Sequence, residues 1–162
     1  MVYVVMGVSG SGKTVVGTAL AARLGLPFHD GDDFHPPANV AKMSAGIPLT
    51  DADREPWLRT LAEKIREWNA AGGAVLACSA LKESYRQQLH EGGDVRFVFL
   101  DVPKQLLADR LRGRTGHFMP VTLLDSQLAT LEIPKDAIRV SDEGTVDETV
   151  AKIVAAIETS SR

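Results

Sequence analysis

At 162 residues, 44% of them hydrophobic, the chain is long enough to bury one sizeable core without disulfides, so one domain spanning 1–162 is expected. Eighteen basic residues against 21 acidic ones give a formal charge of −3, which argues against a sequence-independent grip on nucleic acid or an anionic membrane surface. The only cysteine, Cys78, excludes an intrachain disulfide and reads as a small buried strand residue, which points to a reducing, cytoplasmic setting.

Residues 2–6 form a short β-branched and aromatic run ending at Gly7, as expected of a strand buried on both faces of a parallel sheet. The run is far shorter than the ~20 residues a membrane span needs, and no positively charged stretch precedes it as in a secretory signal. From Lys13 the apolar residues Val16, Leu20 and Leu24 recur at helical spacing, and Gly25 sits where a helix C-terminal glycine belongs. Residues 26–29 predict a second short strand leading into Asp30, Asp32 and Asp33; the Pro36-Pro37 pair that follows argues for an irregular loop. Thr50 to Asp53 resembles a capping box, after which Trp57, Leu58, Leu61, Ile65 and Trp68 repeat at helical spacing up to Gly72-Gly73.

Two further strands are expected at 74–79 and 95–101, separated by a helical stretch around 81–89. A helix from Pro103, the basic segment Arg110 to Arg114, and a helix opened by Pro120 come next. A last strand at 137–140 precedes a helix boxed by Thr145 and Glu148. Alternating β and α segments favour an α/β fold with a parallel sheet.

Residues Gly7, Val8, Ser9, Gly10, Ser11, Gly12, Lys13 and Thr14 match G-x-x-x-x-G-K-[ST] between a strand and a helix, the P-loop context for binding ATP. The glycines let backbone N–H groups face the phosphates, and the positive end of the helix favours their charge. Position gives Lys13 the β- and γ-phosphates and the Thr14 hydroxyl Mg²⁺. The chain carries no N-K-x-D stretch of the kind that reads guanine.

Asp30, Asp32 and Asp33 fall at the C-terminal edge of the expected sheet, where open α/β folds bind ligands. Asp32 suits the orientation of an acceptor hydroxyl, and Asp30 suits Mg²⁺. No aspartate ends the third strand candidate, which leaves Asp30 as the carboxylate near the metal. The segment 110–119 has the composition of a lid that closes over the nucleotide and excludes water, with Arg110 and Arg114 on phosphate and Arg112 coating a helix. His117 reads as a loop or capping residue. The purine is expected near residues 139–142.

Five stretches together carry a resemblance to a family. They are Gly7 to Thr14; Asp30-Gly31-Asp32-Asp33-Phe34-His35-Pro36 with Asn39, Lys42-Met43 and Gly46; Pro48 through Leu58; Cys78 to Lys82 with Tyr85-Arg86; and His117 to Pro120 with Leu123-Leu124, Ser126-Gln127 and Leu131-Glu132. On these, the chain resembles the bacterial and eukaryotic gluconokinases of the shikimate-kinase-like P-loop group. The resemblance implies a five-stranded parallel sheet flanked by helices, a mobile lid and a homodimer. It also implies transfer of phosphate from ATP to D-gluconate, giving 6-phosphogluconate. It further implies that Asp30, Asp32, His35, Arg54, Ser79 and Lys82 surround gluconate or the metal, with Arg54 or Lys82 meeting the carboxylate. The alternatives are a P-loop kinase for another small acceptor, shikimate or a nucleoside monophosphate, and a nucleotide switch that acts through a partner protein.

Overall fold

The computed structural model describes residues 1–8, 10–112, 121–141 and 144–160, with the side chains of 111, 112, 121–123 and 160 left aside. Five strands, β1 (Val2–Met6), β2 (Phe28–Asp30), β3 (Ala74–Ala77), β4 (Val95–Asp101) and β5 (Ile138–Ser141), pair in parallel in the order β2-β3-β1-β4-β5. Among the described residues seven α-helices are interleaved: α1 (Lys13–Leu24), α2 (Pro37–Ser44), α3 (Asp51–Ala70), α4 (Glu83–His90), α5 (Lys104–Arg112), α6 (Val121–Thr130) and α7 (Val146–Ser160). This is the α/β architecture the alternation predicts.

Side chains alternate across the sheet with a period of two, so each central strand feeds two cores. On one face Val4, Met6, Leu76, Phe97 and Phe99 pack with Trp57, Leu58, Leu61 and Ile65 of α3 and Leu89 of α4. On the other, Val5, Val75, Val98 and Leu100 pack with Val16 and Leu20 of α1 and Val150 and Ile153 of α7. A third cluster, Val8, Leu81, Val102, Leu107 and Leu124, seats α5 and α6 beside the phosphate loop. No described helix is long and apolar enough to cross a membrane.

Local signals set the helix ends. Gly25 takes a left-handed φ of 69° and closes α1. Thr50 and Asp53 form the reciprocal capping box of α3, and Thr145 accepts from the Glu148 amide at 3.2 Å at the start of α7. The Pro36-Pro37 pair departs from expectation. Pro37 occupies the first position of α2, where its missing N–H needs no partner and its fixed φ suits the helix. Before it, Gly31–Phe34 forms a 3-10 turn rather than an irregular loop. β3 ends at Ala77, leaving Cys78 and Ser79 beyond the strand.

Candidate functional site

The C-terminal ends of β1, β2 and β3 lie level with one another: Val5 and Asp30 both pair with Ala77. Everything chemically notable follows those ends. After β1, the phosphate loop curls back through left-handed glycines, Gly10 at φ 85° and Gly12 at φ 92°. A Cβ on Gly7 would stand 2.7 Å from Ser11 Oγ, a buried hydroxyl without a hydrogen-bond partner among the described residues, so only glycine lets the loop close here. Lys13 Nζ donates to the Val8 carbonyl at 3.1 Å, which holds its cation across the loop, and the Arg110 guanidinium reaches the loop through the Gly10 carbonyl at 3.0 Å. Ser9, Arg114 and His117, with most of the expected lid, lie outside the described residues.

Two oxygen groups fit a magnesium ion. Thr14 Oγ1 donates to Asp30 Oδ2 at 3.2 Å, placing one hydroxyl and one carboxylate side by side at the start of α1. Among the described residues no three His, Cys, Asp or Glu side chains gather into a metal cage. A sparse oxygen set of this kind suits Mg²⁺, which keeps waters and phosphate oxygens as its remaining ligands. Desolvation by burial is the largest influence on Asp30 and raises its pKa, against the opposing pull of the Asp32 amide and the Thr14 hydroxyl; a metal charge beside it reverses that preference.

Next to the loop, a cleft enclosing about 700 Å³ of space continuous with solvent is lined by Lys13, Asp32, His35, Arg54 and Ser79. Met43, Ile47, Pro48, Leu49, Trp57 and Leu81 give it apolar walls, and Ser126, Gln127 and Thr130 of α6 close one side. Five of the sequence-predicted residues thus meet in one space. Asp30 stands with Thr14 rather than on the cleft wall, and Lys82, expected near substrate, is not on that wall: its ammonium is held by Asp51 at 3.0 and 3.2 Å. Arg139, where the purine was expected, is held by Asp101 at 2.7 Å, and Asp142 is outside the described residues.

Asp32 is open to the cleft, its side chain 67% exposed, although protein surrounds the carboxylate on its other sides. Burial pushes its pKa up, but the His35 imidazole and the Lys13 charge together outweigh burial and leave it below the ordinary carboxylate value. The carboxylate is therefore ionised at neutral pH. Arg54 is aimed by two acceptors, the Leu49 carbonyl at 2.7 Å and the Tyr85 hydroxyl at 3.2 Å, while Tyr85 donates to Asp51. Tyr85 and Asp51 both fall in the stretches that carry the resemblance, but their contact is not legible in the sequence, because they lie 34 positions apart and meet only through tertiary packing.

Ser79 faces the cleft from a bent turn. Ala80, the one non-glycine described residue with positive φ, sits at φ 45°, a conformation that strains a residue with a Cβ by about 1–2 kcal/mol. The almost completely buried Arg86 holds the turn by donating to the Ala80 carbonyl at 2.7 Å, and donates to the Glu132 carbonyl at 2.9 Å. The Glu132 amide in turn donates to the Leu81 carbonyl at 2.7 Å. Arg86 thereby ties the Ser79 turn to the end of α6, two walls of one cleft.

A phosphate loop after β1 of a parallel sheet, with an acceptor cleft beside its lysine, defines a P-loop kinase. The shikimate kinase family model matches residues 9–157. Gluconokinase from Gluconobacter oxydans (strain 621H) is 58% identical over 157 residues, covering 93% of this chain and 88% of the relative. Thermosensitive gluconokinase from Escherichia coli (strain K12) is 43% identical, covering 96% and 88%. The crystal structure of a gluconokinase from Sinorhizobium meliloti 1021 superposes with a TM-score of 0.89 at 47% identity, covering 98% of this chain and 91% of that one. The chain belongs to the gluconokinases of the shikimate kinase family.

Proposed function

We propose that the chain transfers the γ-phosphoryl group of ATP to the terminal hydroxyl of D-gluconate, forming 6-phospho-D-gluconate and ADP. The observation that carries this reading is the convergence of Lys13, Asp32, His35, Arg54 and Ser79, from four separate stretches of chain, on one cleft beside the phosphate loop. The names of the relatives supply the acceptor.

Bound at the loop, Mg-ATP supplies the phosphoryl group, with metal charge screening its oxygens. The loop amides and Lys13 hold the phosphates and neutralise charge as it shifts to the leaving oxygen. Asp32 accepts a hydrogen bond from the acceptor hydroxyl and aims its oxygen at the γ-phosphorus. As that P–O bond forms, the bond from phosphorus to the β–γ bridging oxygen breaks, ADP leaves with the electron pair, and the hydroxyl proton passes to Asp32 and on to solvent. A carboxylate whose pKa is held low is a weak base, so Asp32 works by orientation and takes the proton late, which suits a loose transition state. Arg54 grips the gluconate carboxylate with a planar donor pair, Ser79 bonds a substrate hydroxyl, and Thr14 with Asp30 holds the metal side. Arg110 anchors a lid over residues 110–119 that excludes water. Chain length adds one domain over 1–162 to this reading, the lone Cys78 and the short first apolar run add a cytoplasmic location, and the family resemblance adds a homodimer.

The test is ADP release with Mg-ATP against gluconate, shikimate, glycerate, aldoses and nucleoside monophosphates, with mass spectrometry of each product. Turnover confined to gluconate is expected; turnover with another acceptor and silence with gluconate discards this substrate. Asp32→Asn is expected to lower kcat by about 10²–10³-fold with KM for ATP unchanged.

A further inference from the structure

Behind Asp32 lies a buried chain of contacts that gives His35 one chemical role. The His35 side chain is only 3% exposed and its ring stacks on Trp57 at 4.1 Å with 15° between the planes. Trp57 is itself pinned, its indole N–H donating to the Gly31 carbonyl at 2.7 Å. The ring cannot swing freely, so its two nitrogens have fixed addresses: Nδ1 faces Asn39, and Nε2 faces Asp32 Oδ1 at 3.6 Å.

Asn39, a buried polar residue at 3% exposure, decides which nitrogen carries the proton. Its side-chain nitrogen lies 2.8 Å from the Asp53 carbonyl oxygen. A backbone carbonyl only accepts, so this atom must be the NH₂ and not the oxygen of the amide. The same nitrogen lies 3.2 Å from His35 Nδ1. An amide NH₂ only donates, so Nδ1 must accept, and the neutral ring then bears its hydrogen on Nε2, toward Asp32 and the cleft.

We propose that Asn39 is a positioning residue that fixes His35 as a hydrogen-bond donor to Asp32, and that His35 consequently takes no proton from the acceptor. The basic lone pair of the ring is spent on Asn39 inside the protein, while the nitrogen that reaches the cleft is already protonated. The donor points at one carboxylate oxygen of Asp32, 3.6 Å away and within reach once the acceptor draws the cleft closed, and leaves the other for the acceptor hydroxyl. The framework behind it is rigid: Asp53, whose carbonyl orients Asn39, belongs to the first turn of α3, and its side chain completes the capping box of that helix. The role of Asp32 in this assignment rests on the function proposed above, whereas the tautomer of His35 does not.

The tautomer is read first, in the free wild-type protein, by ¹⁵N-resolved NMR of the imidazoles with His35→Gln as the assignment control. A protonated Nε2 and a bare Nδ1 are expected, and a proton on Nδ1 overturns the proposal whatever acceptor the enzyme uses. Turnover then tests the coupling. Glutamine presents an NH₂ near the position of Nε2 without needing a partner at residue 39, so His35→Gln should recover most of the roughly 10²-fold kcat loss expected of His35→Leu; a glutamine variant as poor as the leucine one overturns the donor assignment. Asn39→Asp puts an acceptor of the same shape against Nδ1 and draws the proton there. It should lower kcat about tenfold with His35 present, and produce no further loss in a His35→Gln background. Equal losses in both backgrounds would reduce Asn39 to a residue that holds the fold and overturn its positioning role.

Discussion

The phosphate side of the cleft comes from eight consecutive residues, Gly7 to Thr14, and works mainly through its backbone. The acceptor side draws Asp32 and His35 from the segment after β2, Arg54 from α3 and Ser79 from the turn after β3, and works through side chains. Glycine geometry and a helix end make the first nearly self-sufficient. The second needs supports at every position: Trp57 under His35, Asn39 behind it, Tyr85 and Leu49 on Arg54, and Arg86 on the Ser79 turn. Nucleotide binding can thus be written into a short stretch of chain, whereas acceptor choice is distributed over the fold, and the two should fail separately under mutation.

The largest effect is expected on the phosphate side. Lys13→Met removes the one loop side chain whose charge meets the transferring group, and kcat should fall by about 10³-fold or more. The dissociation constant for gluconate, measured by calorimetry, should stay within a few fold, because Asp32, His35, Arg54 and Ser79 keep their supports. A parallel collapse of gluconate binding would show that the two sides are one unit.

Tyr85→Phe probes the opposite side. The hydroxyl it deletes is one of the two acceptors that aim Arg54, and Asp51 keeps its ion pair with Lys82. The loss of one net hydrogen bond, about 1 kcal/mol, should raise KM for gluconate about fivefold. KM for ATP should not move, and an alditol of the same length, which lacks the carboxylate, should be used equally poorly by both proteins. An ATP effect as large as the gluconate effect would break the division between the sides.

The same division explains what could be read from sequence. A contiguous motif between a strand and a helix is legible because each residue's job follows from its place in the motif, and the order of β and α segments carried the sheet in the same way. Tyr85, Asp51 and Arg86 belong to the stretches that carry the resemblance, but their supporting contacts were not legible, since their partners are brought together by α3 packing on α4 and by the segment after α6. Lys82 shows the reverse case: it has the right chemistry and lies near the site, but a carboxylate 31 positions away takes its ammonium. Pro37 was misread because a second proline looks like a breaker unless the helix begins on it. Thr130 and Ile47 had no sequence signal, being ordinary residues made into a wall by packing, and nothing in the residues themselves assigned Met43, Pro48 and Leu49 to that wall.

Trp57→Phe asks whether the acceptor side depends on its supports for stability as well as for aim. Phenylalanine keeps the stack with His35 but leaves the Gly31 carbonyl without the indole N–H that reaches it at 2.7 Å. The carbonyl keeps its bond within the 3-10 turn, so the loss is one net hydrogen bond, about 1 kcal/mol, which denaturant unfolding should register as a lower midpoint at unchanged slope.

The smallest effect belongs to the start of α3, where Lys42 grips Asp53 at 2.8 Å and Asp53 accepts from the Thr50 amide. The Lys42 bond, followed by the Thr50 amide, lowers the Asp53 pKa from 3.8 to about 2. A carboxyl with a depressed folded pKa stabilises the fold above its unfolded value, and that contribution disappears as pH falls from about 4 toward 2. Lys42→Met should therefore melt at a lower temperature than wild type at pH 7, and the gap should close across that acid window. A gap that persists unchanged at pH 2 would assign the effect of Lys42 to packing of its stem rather than to charge. The carbonyl that orients Asn39 would then owe its position to the capping box and the helix alone.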